Sequence, residues 1–405
     1  MLAYIIGVVL FALGICISVA LHEAGHMVTA KAFGMKVRRY FIGFGPTVFS
    51  FRRGETEYGL KWIPLGGFCD IAGMTALDEV TEEEAPRAMW RFKTWKRTVV
   101  MCAGSVTHFI LGFVVLYLMA ITMGLPNIHP STDPVIDSTS CARAATTQQQ
   151  LEDTACPAGA PTPAKSAGML AGDKIVSVAG QETPTWQDVL KVVQDSSGPT
   201  AIVVQRGESR VPLTVDVPRV QRLTTDGTVR EVGMMGAATV VPPQYLHYNG
   251  LDGVPGTLSF TGTMFSETAQ RLVEFPKRIP AVVDAIFGGE RDPNTPVSVV
   301  GASRIGGEAV EKGLWIVFFF LLASLNFFIG VFNLLPLLPL DGGHIAVVWY
   351  ERVRDWLRKL RGKPAGGPVD YTKLSAVTMV LVVIGGGITL LTVTADIVNP
   401  ITLQQ

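Results

Sequence analysis

The chain has 405 residues, of which 48% are hydrophobic and only 17% charged, and its mean hydropathy is +0.35. That balance is too apolar for an ordinary soluble domain, and the length admits two or three structural units. Lys plus Arg and Asp plus Glu each number 34, so there is no basic footprint for nucleic acid and no such partner is expected.

Residues 1–21 carry no charge. Crossing about 30 Å of hydrocarbon takes about 20 apolar residues, so the run is long enough. It lacks a positively charged start and continues directly into charged sequence, so it reads as a first transmembrane helix (1–34) rather than a cleaved leader. The run ends in LHEAGH, which contains His22, Glu23 and His26. Two His at i and i+4 share one helix face and can ligate one zinc, and the Glu beside the first can take a proton from metal-bound water. The plainer alternative is a pair of His at a wet helix end.

Residues 35–98 follow on the same side. Runs of Tyr, Phe, Val, Thr and Trp punctuated by Gly43, Gly45–Pro46, Gly54 and Gly66–Gly67 predict a β-hairpin over 35–72. Such a sheet can enter a membrane only where protein or a wet cavity satisfies its backbone. Residues 78–98 place acidic residues first and basic residues last, which suits a helix dipole, with Trp90, Phe92 and Trp95 suiting a membrane interface. An interfacial helix is expected there.

A second span is expected at 99–125, which carries no charge except a possible one on His108. The Pro-, Ser- and Gln-rich stretch 126–165 reads as a loop, in which Cys141 and Cys156 are expected to pair. From 166 to 218 the pattern turns to short strands and turns. Residues 219–312 form a linker whose 257–290 stretch predicts amphipathic helices interrupted by Pro276 and Pro280. The third transmembrane segment is 313–345, ending in NLLPLLPLDGGH, followed by a loop (346–373), a fourth transmembrane helix (374–396) and a tail (397–405). Lys and Arg concentrate in the 22–98 and 341–373 connections, which by the positive-inside rule face the cytoplasm. Both termini and the 126–312 excursion then lie outside a cell membrane crossed several times.

A catalytic zinc needs a third protein ligand and one open position. The candidates are His108, Asp341 and His344. The third uncharged run returns to the side of His22 and His26, and Pro336 and Pro339 break regular helix there. Position alone leaves Asp341 and His344 comparable.

Two resemblances sharpen this reading. Gly168, Gly172–Asp173, the Ile175–Val176 strand, the Gly180 turn and the Trp186–Val193 helix resemble a PDZ domain of the bacterial protease type. That implies peptide binding at Gly168, Met169 and Leu170, where backbone amides catch a carboxylate. HEAGH in the first span together with Asn333-x-x-Pro336-x-x-x-Leu340-Asp341-Gly342 resembles the site-2 protease family of intramembrane metalloproteases. GFGP, PLGGF, FKTWKR, PVSVVGASRIGG (Pro296 to Gly307) and DIVNP (Asp396 to Pro400) extend the match along nearly the whole chain. The pattern is most similar to the actinobacterial regulator-of-sigma-E-protease type.

The resemblance implies one Zn2+ per chain held by His22, His26 and Asp341, with Glu23 as the base and Asn333 positioning substrate or the developing oxyanion. It implies single-span membrane substrates, such as anti-sigma factors, already trimmed by a site-1 protease. One departure stands out. The family carries Gly-Pro-x-x-Asn in the second span, and this chain has Gly104-Ser105-Val106-Thr107-His108. His108 keeps hydrogen-bonding capacity at that place and is the candidate for the Asn's role.

The expected fold is a polytopic α-helical membrane protein with four transmembrane helices, a membrane-associated β-hairpin and an extracytoplasmic β-rich PDZ domain. Two other functions fit parts of the sequence. An inactive membrane scaffold would bind partners through the 166–218 module. A metal transporter would need ionisable residues along several spans at mid-membrane, and these spans carry almost none.

Overall fold

The computed structural model describes residues 1–75, 78–153, 155–224, 227–367 and 369–403. They fall into two units, one comprising Met1–Leu125 with His247–Gln405 and the other Pro126–Leu246.

In the first unit the opening uncharged run forms α1 (Leu2–Ala32). No Pro interrupts it, and it stops where Gly34 takes a positive φ of 83° and its N–H donates to the Lys31 carbonyl. The His22–His26 pair therefore lies on regular helix. Next come β1 (Val37–Arg53) and β2 (Thr56–Ile71). Each long strand folds back at its glycines. Residues 37–42 pair in descending register with 67–71 and, along the other edge, 39–42 pair in ascending register with 57–60, while 47–53 pairs with 56–61. The result is a four-segment sheet in which 67–71 is an outer edge. A glycine is required at the first fold: Gly43 has φ 88°, and a Cβ there would stand 2.8 Å from the Ile63 carbonyl oxygen.

The helix expected over 78–98 is not formed. Residues 85–87 and 89–91 are single 3-10 turns, and α2 (Thr94–Thr122) begins only at Thr94. The acidic residues are drawn elsewhere. Arg38 of β1 donates to Asp78 at 2.8 Å and to both Glu84 oxygens at 2.9 and 2.7 Å. The segment is also tied to the sheet, because Met89 N–H donates to the Ala72 carbonyl and Lys36 N–H to the Arg87 carbonyl. Ion pairs and sheet contacts outweigh a helix dipole worth about 0.3–1 kcal/mol per charge.

The second unit is entered by β3 (Leu125–Pro126) and contains β4 (Ile136–Thr139), the short helices α3 (Gln148–Glu152) and α4 (Pro163–Ser166), β5 (Lys174–Val178), β6 (Gln181–Glu182) and α5 (Trp186–Asp195). It continues through β7 (Gly198–Arg206), β8 (Ser209–Val217), β9 (Arg219–Leu223), β10 (Val229–Gly233), β11 (Ala237–Thr239) and β12 (Tyr245–Leu246). The main sheet has the order β6-β5-β7-β8, with Val189 and Val193 of α5 in its core. The Thr185–Asp188 capping box sets the start of α5. Residues 126–165 are more than the expected loop: β4 pairs with β11, and Ile136 is fully buried in the core. Cys141 and Cys156 are disulfide-bonded.

The first unit resumes with α6 (Gly253–Ile286), one continuous helix that carries both Pro276 and Pro280 inside it, contrary to the expected interruption. Then come α7 (Val299–Glu311), α8 (Trp315–Asn333), α9 (Asp341–Leu360) and α10 (Tyr371–Val398). The third uncharged run is thus two elements, since helix stops at Asn333 and restarts at Asp341. The 346–373 connection, expected as a loop, is helical through Leu360. Among the described residues, four helices are long and apolar enough to cross a membrane: Leu2–Ala32, Thr94–Thr122, Trp315–Asn333 and Leu374–Val398.

Small residues let these helices approach closely. A Cβ on Gly7 of α1 would stand 2.9 Å from Gly307 Cα of α7, one on Gly25 would stand 2.7 Å from the Ala103 carbonyl oxygen of α2, and one on Gly112 of α2 would meet Phe327 of α8 at 2.9 Å. At the end of α10, Asp396 accepts from Arg291 and from Ser298 N–H at 2.8 and 2.7 Å, and Asn399 donates to the Ala285 and Gly289 carbonyls. The DIVNP segment is a polar latch onto the α6–α7 connection.

Candidate metal centre

Helix periodicity puts His22 and His26 one turn apart on the face of α1 that meets α2. Asp341 is the first residue of α9, and a Cβ on either Gly342 or Gly343 would collide with the preceding 334–338 backbone. These glycines let the chain turn tightly enough to bring Asp341 to α1. His22, His26 and Asp341 each offer a ligand atom, and the three atoms lie within 4.8 Å of one another. His22 Nε2 and His26 Nε2 each stand 3.3 Å from Asp341 Oδ2 and 3.1 Å from one another.

A divalent cation fits this arrangement. His26 Nδ1–H donates to the Val100 carbonyl at 2.7 Å, which fixes the tautomer and leaves Nε2 a bare lone pair. Asp341 Oδ2 is buried with no hydrogen-bond donor among the described residues. Lone pairs therefore face each other at close range. Zinc bonds of about 2.0–2.1 Å in a tetrahedron place neighbouring ligand atoms about 3.3 Å apart, as found here.

A cavity of about 180 Å³ adjoins the trio and is lined by Glu23, His26, Asp341, Phe68, Cys69 and Met74 among others. It has room for water and part of a peptide. The outer edge of the sheet passes beside it, since a Cβ on Gly67 would lie 3.2 Å from Glu23 Cγ.

A sequence model of peptidase family M50 matches residues 10–377. The chain belongs to that family. It is 48% identical to zinc metalloprotease Rip1 of Mycolicibacterium smegmatis over 99% of each chain, and 47% identical to zinc metalloprotease Rip1 of Mycobacterium tuberculosis over 99% of this chain and all of that one. It is 26% identical to metalloprotease MmpA of Caulobacter vibrioides over 87% of this chain and 88% of that one. The chain is a zinc metalloprotease of the site-2 protease family, and its four long apolar helices agree with a membrane protein.

The other candidate residues read from sequence lie outside the cluster of ligand atoms. His108 is buried beside the trio, with its ring centroid 5.0 Å from that of His22. It lies outside the cluster of ligand atoms, and its Nδ1 pairs with Asn326 Oδ1 of α8 at 2.8 Å. Asn326, 1% exposed, also donates to the Leu322 carbonyl. Sequence reasoning missed Asn326, although an amide inside an uncharged span is itself a signal. Asn333 ends α8 and makes no side-chain hydrogen bond among the described residues, and His344 stands 3.4 Å from the Tyr371 hydroxyl rather than joining the trio.

The Gly168–Leu170 loop, expected to bind peptide, is held by hydrogen bonds of its own. Its three amides already donate to the Lys165 carbonyl, the Ala164 carbonyl and Asp173 Oδ2, and the Met169 side chain is in the core. Arg206 clamps the loop through Asp173 at 2.7 Å and the Gly168 carbonyl at 2.8 Å.

Proposed function

We propose that this metalloprotease hydrolyses peptide bonds within the membrane-spanning segments of single-span proteins, such as anti-sigma factors, after a site-1 protease has trimmed their external part. The observation that carries this reading is that His22 and His26, on the long apolar helix α1, meet Asp341, which opens α9 after the long apolar helix α8. His22, His26 and Asp341 hold the metal and Glu23 is the base. The basic 22–98 and 341–373 connections put the centre toward the cytoplasm, with both termini and the 126–312 excursion outside.

Zinc, when bound there, supplies Lewis-acid polarisation of a carbonyl and an acidified water. Glu23 takes the proton of the attacking water and delivers it to the departing amine. Asn333 and His108 position the substrate carbonyl, His108 being held for that task by Asn326. A helical substrate hides its carbonyls in hydrogen bonds and must unwind. The outer edge at 67–71 receives the unwound segment as an added strand. The 166–218 segment is a PDZ domain that acts as a size filter against untrimmed substrate.

The deciding test is co-expression with candidate single-span regulators followed by immunoblotting. Glu23→Gln is expected to abolish cleavage and keep zinc. Cleavage by that variant equal to the parent's would overturn the reading and favour a scaffold. Deleting 166–218 is expected to permit cleavage of untrimmed substrate, and untrimmed substrate left intact would remove the filter.

A further inference from the structure

Helix α9 leaves an apolar stripe uncovered while its acids are engaged: Glu351 pairs with Arg97 at 3.3 Å and accepts from Val369 N–H, and the partly exposed Asp355 accepts from Arg354 and Gly366 N–H. Trp349, Val353, Trp356 and Leu360, spaced at helical intervals, form one outward stripe and are 48%, 49%, 57% and 66% exposed. Nothing among the described residues covers them. A groove of about 1070 Å³ runs between α9 and the segment entering α2, with Trp90, Trp95 and Trp349 in its lining.

The groove lining carries three acids and three bases, but their pairing is uneven. Its acidic members are each engaged: Asp78 by Arg38, Glu351 by Arg97 and Asp355 by Arg354. Lys93 and Arg352 line the same groove and have no ion-pair partner among the described residues. Arg97 Nε is buried there without a hydrogen-bond acceptor. Unpaired cations beside indole rings, next to an apolar stripe and between two spans, match the chemistry of a phosphate headgroup with its acyl chains.

We propose that the groove binds the headgroup of an anionic phospholipid through Lys93 and Arg352, and that its acyl chains and their neighbours cover the outward face of α9. The occupant sets the position of α9, whose first residue is Asp341, and Met74 lines both this groove and the cavity beside Glu23. The proposal uses the membrane reading of the apolar helices and is independent of which substrate is cut.

The test uses the full chain in nanodiscs of phosphatidylcholine alone or of phosphatidylcholine with equimolar phosphatidylglycerol. Native mass spectrometry is expected to show phosphatidylglycerol retained, and Lys93→Gln/Arg352→Gln to weaken retention by roughly 30-fold, from about a fivefold effect per cation. Brominated acyl chains are expected to quench tryptophan fluorescence, less so in Trp349→Ser/Trp356→Ser. Chelator removal of zinc is expected to be several-fold slower with phosphatidylglycerol, a difference the Lys93/Arg352 variant loses. Equal lipid retention by parent and variant, or equal zinc-loss rates in both bilayers, would overturn the proposal. So would inorganic phosphate matching the lipid in binding to detergent-solubilised protein, or quench-free Trp349 and Trp356 buried between two copies of the chain.

Discussion

A Cβ added at Gly104 would stand 2.4 Å from His26 Nε2 and 2.5 Å from His22 Cε1. His26 cannot swing aside without losing its bond to the Val100 carbonyl. Gly104→Ala is therefore expected to cut zinc affinity by about 10–100-fold, as loss of a ligand-orienting contact does, while circular dichroism stays that of the parent. Zinc content by mass spectrometry checks this. Asn326→Leu is expected to leave His108 Nδ1 buried without its partner, at a cost of about 1–3 kcal/mol, read as a lower melting temperature in detergent. At this scale HEAGH was legible because helix periodicity alone puts both His on one face. Asp341 was legible only through the family's motif. Asn326 was not picked out, because an amide in an otherwise apolar run leaves hydropathy almost unchanged.

The hairpin and the segment after it depend on one guanidinium. Arg38 holds the Glu84 carboxyl at about 2, below its ordinary 4.5. A carboxylate whose pKa is lowered by folding adds stability that is complete above pH 4.5 and is lost as pH falls toward 2. The parent's melting temperature is expected to drop across that window more steeply than that of Arg38→Gln, measured by differential scanning fluorimetry. The same contact explains why the helix expected at 78–98 fails: the local charge order suits a helix, and a distant arginine takes the acids first. The strands of the hairpin were readable from β-branched and aromatic runs between glycines. The fold-back of each strand, which makes four segments, was not, because pairing across the sheet has no local signature. Substitution at Gly43, Gly45, Gly66 or Gly67 is expected to lower cleavage more than zinc content, and normal turnover in all four variants would dismiss strand addition at 67–71.

Across the molecule, alternating uncharged runs and basic connections made the four long apolar helices readable at their present places. The extent of the second unit was not readable. It runs from Pro126 to Leu246, beyond the 166–218 pattern, because β4, β9, β10 and β11 are too short for strand alternation to stand out. The Cys141–Cys156 bond closes a span of 15 residues within it. Reduction is expected to destabilise that unit by up to about 3 kcal/mol, seen as faster proteolysis within 126–246. The trio of His22, His26 and Asp341 also has a consequence for biosynthesis. Two of its members emerge from the ribosome early, and the third only after the whole second unit and the apolar helix Trp315–Asn333 have been made. A nascent or prematurely terminated chain cannot assemble the centre, so the membrane is shielded from a hydrolase that is still being built.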